Sequence, residues 1–502
     1  MLESFWENLK SGSDIRGIAT NGESSKTIDL TNATIEKIMF AFATWVARKT
    51  ELDFSSLTIA IGHDSRTSSP RIKNVCINTL RDLGINIYDC SLASTPAMHG
   101  ATSSLKCSAA LEITASHHPA KYNGLKFFTA DGSLKGDDIR EILQMAQDME
   151  APLPSKKGFV RSINIMERYC EKLKNLIINN IKTPDDSLPL AGMKIVVDAG
   201  NGVGGFFAKN VLEPLGADTQ GSAFLEPDGN FPNHIPNPED PQALASIIKL
   251  TKESEADLGI IFDTDVDRVA IVDKNGELIA QERLIALTAL IATRNNHDSI
   301  IVTDSVTSDH LRNFLGKHNC TQFRYKRGYS NVISMAKKIN AKGGNCPLAI
   351  ETSGHAAFKE NNFSDDGAYL AAKIVAEAAK LTKTGNTLGY LTKDLAAAKE
   401  LLNARISIND ANISEYASKV LNQFKNYANS NRNTELDKEN IEGTRIDFTD
   451  KHIKGWLIIR QSIHDPELVL HAESDAVGGI KAITKIIRSC LNKFDKLDLS
   501  NL

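Results

Sequence analysis

Cysteine is scarce: seven in 502 residues, scattered as Cys76, Cys90, Cys107, Cys170, Cys320, Cys346 and Cys490. The number is odd and no two form a C-x-x-C pair, which speaks against both a zinc ribbon and a disulfide framework. An excess of one charge is also missing. The 58 basic and 62 acidic residues leave a formal charge of -4, so no large basic face for a nucleic acid is expected. No stretch approaches the ~20 apolar residues of a membrane span. The start, MLESFWENLK, carries acidic residues and no long apolar run, so neither a signal peptide nor a membrane partner is expected. What is there, 41% hydrophobic and 24% charged residues, is ordinary for a soluble globular protein and wrong for disorder. A reducing compartment, the cytoplasm, is the expected location. The length suggests about three or four domains.

The first 150 residues alternate helical and extended patterns. Ile35, Ile38, Met39, Phe42 and Val46 form a helical stripe. LTIAIG (57–62), INIYDC (85–90) and SAALEIT (108–114) read as strands, with a helix over 71–84 ending in glycine. Such alternation predicts a parallel sheet with ligands at the strand ends. A polar linker follows at 151–158, a helix at 162–180 and a second Pro/Asp-rich stretch. KIVVDAGNGVGGFFAKNVL (194–212) reads as strand, glycine turn and helix. LGIIF (258–262) runs into DTDVDR and then VAIVD, with an N-G turn at 275–276. A third similar unit holds DSIIVTDS (298–305), FRYKRGYS (323–330) and PLAIETSGH (347–355). Beyond about residue 400 the pattern becomes helix, polar stretch, hairpin and final helix. The expected class is α/β: three similar mixed α/β domains (1–155, 156–282, 283–397) plus a smaller C-terminal α+β domain (398–502) around a central cleft.

Several strand ends carry reactive side chains. In ITASHHPAKYNGLKFF (113–128), Ser116 stands beside two histidines at the carboxyl end of a strand. In DTDVDR (263–268), three carboxylates at alternate positions follow a buried apolar strand and repel one another unless a cation sits among them; hard oxygen ligands suit Mg²⁺. An EF-hand is excluded, because Arg268 and Lys274 stand where that loop needs glycine and glutamate. A haloacid-dehalogenase phosphatase is a weaker rival, with Asp267 in its Thr/Val place. GNGVGG (200–205) matches the dinucleotide-binding pattern, but the acid ending the next strand has only Asp218 and Glu226 as candidates, in a segment of weak strand character. ETSGH (351–355) offers donors and acceptors suited to sugar hydroxyls. IIRQSIHDP (458–466) places Arg460, Ser462 and His464 after a strand, a pattern suited to clamping phosphate. Together these point to a ligand with both hydroxyls and phosphate.

The ordered set of motifs resembles the α-D-phosphohexomutase family, of the phosphoglucomutase/phosphomannomutase type, over residues 14–466. T-A-S-H-H-P is similar to its phosphoserine loop, D-T-D-V-D-R to its metal loop, E-T-S-G-H to its sugar loop and R-Q-S-I-H-D-P to its phosphate loop. The resemblance implies an isomerase that moves a phosphoryl group between the 1- and 6-positions of glucose or mannose phosphates. Ser116 is then carried as phosphoserine and binds Mg²⁺ together with Asp263, Asp265 and Asp267. A hexose 1,6-bisphosphate serves as intermediate and activator. His117, Lys126 and Arg268 supply positive charge or hydrogen bonds, and Lys126, Arg16 and His355 are the candidate bases. Glu351, Ser353 and His355 bind the sugar. Arg460, Ser462 and His464 hold the non-reacting phosphate, assisted by Lys326. The partners implied are hexose phosphates, with the protein a monomer or homodimer.

The chain departs from the family pattern in places. Ile350 stands where the sugar motif commonly has glycine, Thr264 and Val266 replace small residues of the metal loop, and Ile463, His464 and Asp465 replace G-T-E. A phosphoglucosamine mutase is the nearest alternative. A sugar-phosphate-binding protein without turnover and a nicotinamide oxidoreductase are alternatives of other classes.

Overall fold

The structure is a computed structural model that describes residues 2–20, 27–149, 156–182, 188–294, 298–410, 412–462, 466–500 and 502. Most of the expected linker at 151–158, most of the second Pro/Asp-rich stretch and His464 lie outside them. The chain divides into two compact units, one of residues 1–295 with 347–392 and one of 296–346 with 393–502.

The first unit begins with a sheet of mixed direction. Thr58–His63, Asn86–Leu92, Ala109–Ile113 and Val160–Ser162 run parallel. Tyr122–Thr129 joins Ala109–Ile113 antiparallel, and Asp14–Ile18 joins Tyr122–Thr129 antiparallel. The sheet is therefore not purely parallel as the alternation predicts. The reversal follows from the short link 114–121, which is too brief for the crossover that a parallel return requires. The helices Asn32–Thr50, Ser69–Asp82 and Gly136–Asp148 bury Ile35, Phe42, Ile72 and Ile142 in the core of this region.

In the next segment Ile195–Asp198 and Leu258–Phe262 are parallel, and Val269–Asp273 folds back antiparallel on Leu258–Phe262. The expected helix at 206–212 is instead a widened turn, Phe207–Leu212, that tightens over Glu213–Leu215. Pro214 explains the departure: it has no N–H to donate, and its ring crowds the carbonyl four residues back. The unit ends with the hairpin Leu348–Ile350 and Ala356–Phe358, then the buried helix Gly367–Thr382.

The second unit pairs Ser299–Thr303 parallel with Cys320–Arg324. Its other strands form an antiparallel sheet in the order Glu400–Ser407, Glu467–Ser474, Gly455–Gln461, Thr444–Phe448, Thr434–Leu436. The helices Ile413–Ser430 and Gly479–Leu491 bury Val420, Phe424, Ile483 and Ile487 with that sheet in a single core. The expected hairpin lies at its centre, while the two strands beside it escape the sequence pattern. No helix among the described residues is long and apolar enough to cross a membrane.

Candidate active site

In the first unit the loops at 114–118 and 263–268 meet. Ser116 has φ +50°, in the left-handed region that L residues seldom adopt, and its N–H donates to Thr114 Oγ1 at 2.9 Å. The loop is held by Arg66, 1% exposed, whose guanidinium donates to the carbonyls of Ser116, His118, Pro119 and Tyr122. Asp64 pairs with that guanidinium at 3.1 Å and accepts from Thr114 Oγ1 at 2.8 Å. Thus a turn after one parallel strand fixes the turn after its neighbour.

Ser116 Oγ donates to Asp263 Oδ2 at 2.9 Å and lies 3.3 Å from His117 Nδ1. Lys126, from the antiparallel strand, reaches the same loop and donates to Asp265 Oδ2 at 2.9 Å and Asp267 Oδ2 at 2.5 Å. Arg268 folds back on Asp263, Nε to Oδ2 at 3.2 Å, while its Nη1 meets Asn237 Oδ1 at 3.2 Å and Glu239 Oε2 at 3.4 Å. Thr95 Oγ1 donates to Asp265 Oδ2 at 2.5 Å. Arg16 donates to Asp14 at 2.9 Å, and its Nε is buried without a hydrogen-bond partner among the described residues.

The loop's electrostatics call for a cation. Asp263, Asp265 and Asp267 are all buried, and each offers an oxygen within 4.8 Å of the others. Burial, then Asp267 and Asp265, push Asp263 well above the ordinary carboxylate range. Burial pushes Asp267 the same way, but Lys126, His355 and Arg268 reverse it and leave it lowered. Asp265 Oδ1 and Asp267 Oδ1 have no hydrogen-bond partner among the described residues. Clustered buried oxygens with unused lone pairs fit a hard divalent ion. Asp267, His355 and Asp365 also converge within 4.8 Å, but a histidine nitrogen is a poorer match for such an ion.

The hairpin turn 351–355 lies against the same loop, through a backbone bridge between Arg268 and His355. His355 Nδ1 stands 2.6 Å from Asp365 Oδ2 and 3.8 Å from Asp267 Oδ1. Burial lowers its pKa, yet Asp365 and Asp267 outweigh burial and raise it to about 9. Glu351 is buried, and so is Ser353, whose Oγ has no partner among the described residues. Burial, with Arg268 and Arg16, holds His117 well below its usual range.

GNGVGG has a packing role. A Cβ on Gly202 would stand 2.6 Å from Thr264 O, and one on Gly205 would stand 2.1 Å from Leu225 O. Val203 N–H donates to Thr264 O at 2.9 Å. Gly202 lets the aspartate loop rest on this turn, Gly205 lets Leu225 pass close beside it, and Glu226 pairs instead with Lys209 on the surface.

In the second unit Arg460 is buried, with Nη1 3.5 Å from Gln461 O and 3.7 Å from Glu442 Oε1. Ser462 N–H donates to Glu467 O at 2.8 Å, and Lys326 is exposed. Sequence reasoning missed Arg66, Asp64, Thr95, Asp365 and Glu442. Asp64, Arg66 and Thr95 had a usable signal, the end of a recognised parallel strand, with Thr95 opening the short helix Thr95–His99; Asp365 and Glu442 sit outside any motif.

Comparison with known proteins gives a consistent answer. Models described as phosphoglucomutase/phosphomannomutase, alpha/beta/alpha domains I, II and III, match residues 7–152, 167–276 and 281–398. The chain is 30% identical over 464 residues to the phosphomannomutase/phosphoglucomutase of Pseudomonas syringae, covering 90% of this chain and 91% of that one. It is also 30% identical to a phosphoglucomutase of Neisseria gonorrhoeae, covering 85% and 86%. A crystal structure of a phosphoglucomutase/phosphomannomutase family protein from Burkholderia thailandensis superposes with a TM-score of 0.79 at 26% identity, covering 98% of each chain. With three consecutive family domains matched and relatives aligned over nearly its whole length, this chain belongs to the phosphoglucomutase/phosphomannomutase family, an isomerase family of mutases.

Proposed function

We propose that the protein interconverts the 1- and 6-phosphates of glucose or mannose, with Ser116 as the phosphoryl carrier. The observation that carries this reading is Ser116 Oγ held 2.9 Å from Asp263 beside two further buried carboxylates, with Lys126 and Arg268 as counter-charges. Asp263, Asp265 and Asp267 would hold Mg²⁺ together with the Ser116 phosphate, and the ion would neutralise charge on the transferring group. In the first transfer the Oγ–P bond of phospho-Ser116 breaks and a bond from phosphorus to a sugar hydroxyl oxygen forms. The hydroxyl proton passes to a base, for which Lys126, Arg16 and His355 are the candidates. The resulting hexose 1,6-bisphosphate turns around, Ser116 Oγ bonds to the phosphorus of its other phosphate, the sugar O–P bond there breaks, and the released sugar oxygen takes back the proton held by the base. The left-handed backbone at Ser116 and the Arg66 anchor aim the carrier, since phosphoryl transfer is mainly positioning and electrostatics.

Glu351, Ser353 and His355 are read as sugar contacts, and Arg460, Ser462, His464 and Lys326 as the clamp for the idle phosphate. The four-part division at about residues 155, 282 and 397 and a cytoplasmic location belong to the same reading. The test is ³¹P NMR of purified protein with Mg²⁺, a trace of glucose 1,6-bisphosphate, and glucose, mannose or glucosamine 1-phosphate in separate tubes. A growing 6-phosphate signal supports the mutase, and the fastest tube names the sugar, a phosphoglucosamine mutase included. Three silent tubes beside an active control mutase refute it.

A further inference from the structure

Glu442 is a carboxylate where an anion-binding site is expected. Its Oε2 accepts from Ser305 Oγ at 2.6 Å and from the Arg327 backbone N–H at 2.9 Å. Its Oε1 stands 3.7 Å from Arg460 Nη1. These groups come from three separate segments: the turn after the strand Ser299–Thr303, the KRGYS loop and the strand Gly455–Gln461. The turn that delivers the carboxylate is built for close approach. Gly443 has φ +66°, and a Cβ there would stand 2.2 Å from Ile459 O and 2.7 Å from Arg460 Cβ. Arg445 fixes the other side, donating to Thr307 O at 2.8 Å and Ser305 O at 3.4 Å, with its guanidinium over the Trp456 ring at 3.7 Å.

A hydroxyl, a backbone N–H and a buried guanidinium form a seat of the kind that takes a phosphate. The good hydrogen bonds of Glu442 go to Ser305 and Arg327, whereas its contact with Arg460 is a looser ion pair. Arg460 Nε has no hydrogen-bond partner among the described residues. A carboxylate that oriented the guanidinium would bond it closely; this one occupies the seat beside it.

We infer that Glu442 is the resident anion of the phosphate clamp, occupying the seat whenever the substrate's idle phosphate is out of it. The inference rests on the reading of Arg460 as that clamp. Its consequence is exchange. When the bisphosphate must turn around, Glu442 covers donors that would otherwise lie bare and buried, so release is easier and small free anions are retained weakly.

The experiment is calorimetric titration of the full chain with inorganic phosphate, comparing wild type, Glu442→Gln, Arg460→Ala and the double variant. Gln keeps the shape and an acceptor for Ser305 and Arg327 while removing the charge. Phosphate should bind Glu442→Gln roughly tenfold more tightly, KM for glucose 1-phosphate should fall, and kcat should fall with slower release. The gain should vanish in the double variant. Glu442→Asp, which keeps the charge but withdraws it from the seat, covers the case where Gln does not fold, with an expected gain of about threefold. Unchanged or weaker phosphate binding in a folded Gln or Asp variant overturns the inference. If Arg460→Ala alone leaves phosphate affinity and KM untouched, it is the clamp assignment that fails. If that variant weakens binding but the Glu442 variants do not tighten it, only the resident-anion inference fails.

Discussion

Around Ser116 the charged groups touch, and around Arg460 they stand apart. Lys126 sits at 2.9 and 2.5 Å from two carboxylates, and Ser116 at 2.9 Å from a third, all buried. Arg460 is also buried, but its acidic neighbour is 3.7 Å away and Lys326 lies in solvent. Short, dry contacts fix atoms for one chemical event, because an unmatched charge there is expensive. Longer contacts with exposed edges suit a site that must let go. On the proposed reaction, one phosphate reacts while the other is gripped and released, which asks for both kinds.

Variants sharpen that contrast. Ser116→Ala should lower kcat by about four orders of magnitude, and mass spectrometry after incubation with glucose 1,6-bisphosphate should find no phosphate at position 116. Residual turnover near wild type would show another carrier. Asp265→Asn should weaken Mg²⁺ by about a hundredfold or more, read as the concentration that restores activity after chelation. At the looser site, Arg460→Ala should raise KM for the sugar phosphate by about thirtyfold with a smaller change in kcat; a fall in kcat alone would place this arginine with the tight site.

Two smaller effects concern stability. His234 Nε2 lies 3.0 Å from both Asp198 oxygens and Nδ1 lies 3.0 Å from Ile235 O, so acceptors face both nitrogens and favour the protonated ring. Burial lowers its pKa, but Asp198 more than compensates and leaves it raised. The stabilisation is therefore complete below the ordinary 6.5 and drains away as pH rises through the folded value. His234→Ala should remove about 2 kcal/mol, and melting at pH 6 and pH 9 should show the larger loss at pH 6. Glu112, fully buried opposite Lys126, has both oxygens unbonded among the described residues. Burial, then Asp64 and Asp265, raise it well above the carboxylate range, so it weakens the fold as pH climbs past 4.5. Glu112→Leu should add about 1–3 kcal/mol at neutral pH and less near pH 4, as denaturant melts would reveal.

How far the sequence reaches depends on contiguity. Ser116, the three aspartates and Arg268 lie in two short stretches after apolar strands, so a parallel-sheet argument finds them before any contact is seen. Arg66, Thr95 and Asp365 reach the same centre from segments spread over some 300 positions; a strand end hints at the first two, but no local pattern names a residue whose meaning is a distant carbonyl or carboxylate. The same holds in the fold. Leu258–Phe262 is legible as an unbroken apolar run buried on both faces. Glu400–Ser407 and Glu467–Ser474 alternate buried and open positions, a weaker signal amid polar sequence. The mixed direction of the first sheet depends on a tertiary choice, the antiparallel return through 114–121, which periodicity does not encode.

Val266 holds a last consequence. A β-branched residue at φ +68°, fully buried between Asp265 and Asp267, sits in backbone that such side chains avoid. Its carbonyl accepts the Gly367 N–H at 3.1 Å, so the start of a long helix leans on the bend. Val266→Gly would relieve that strain but empty a fully buried position, and the lost burial of about 2–3 kcal/mol offsets the relief. The bend is therefore locked by its own packing: glycine trades a strained backbone for a void, and an attempt to raise heat resistance at this position gains little.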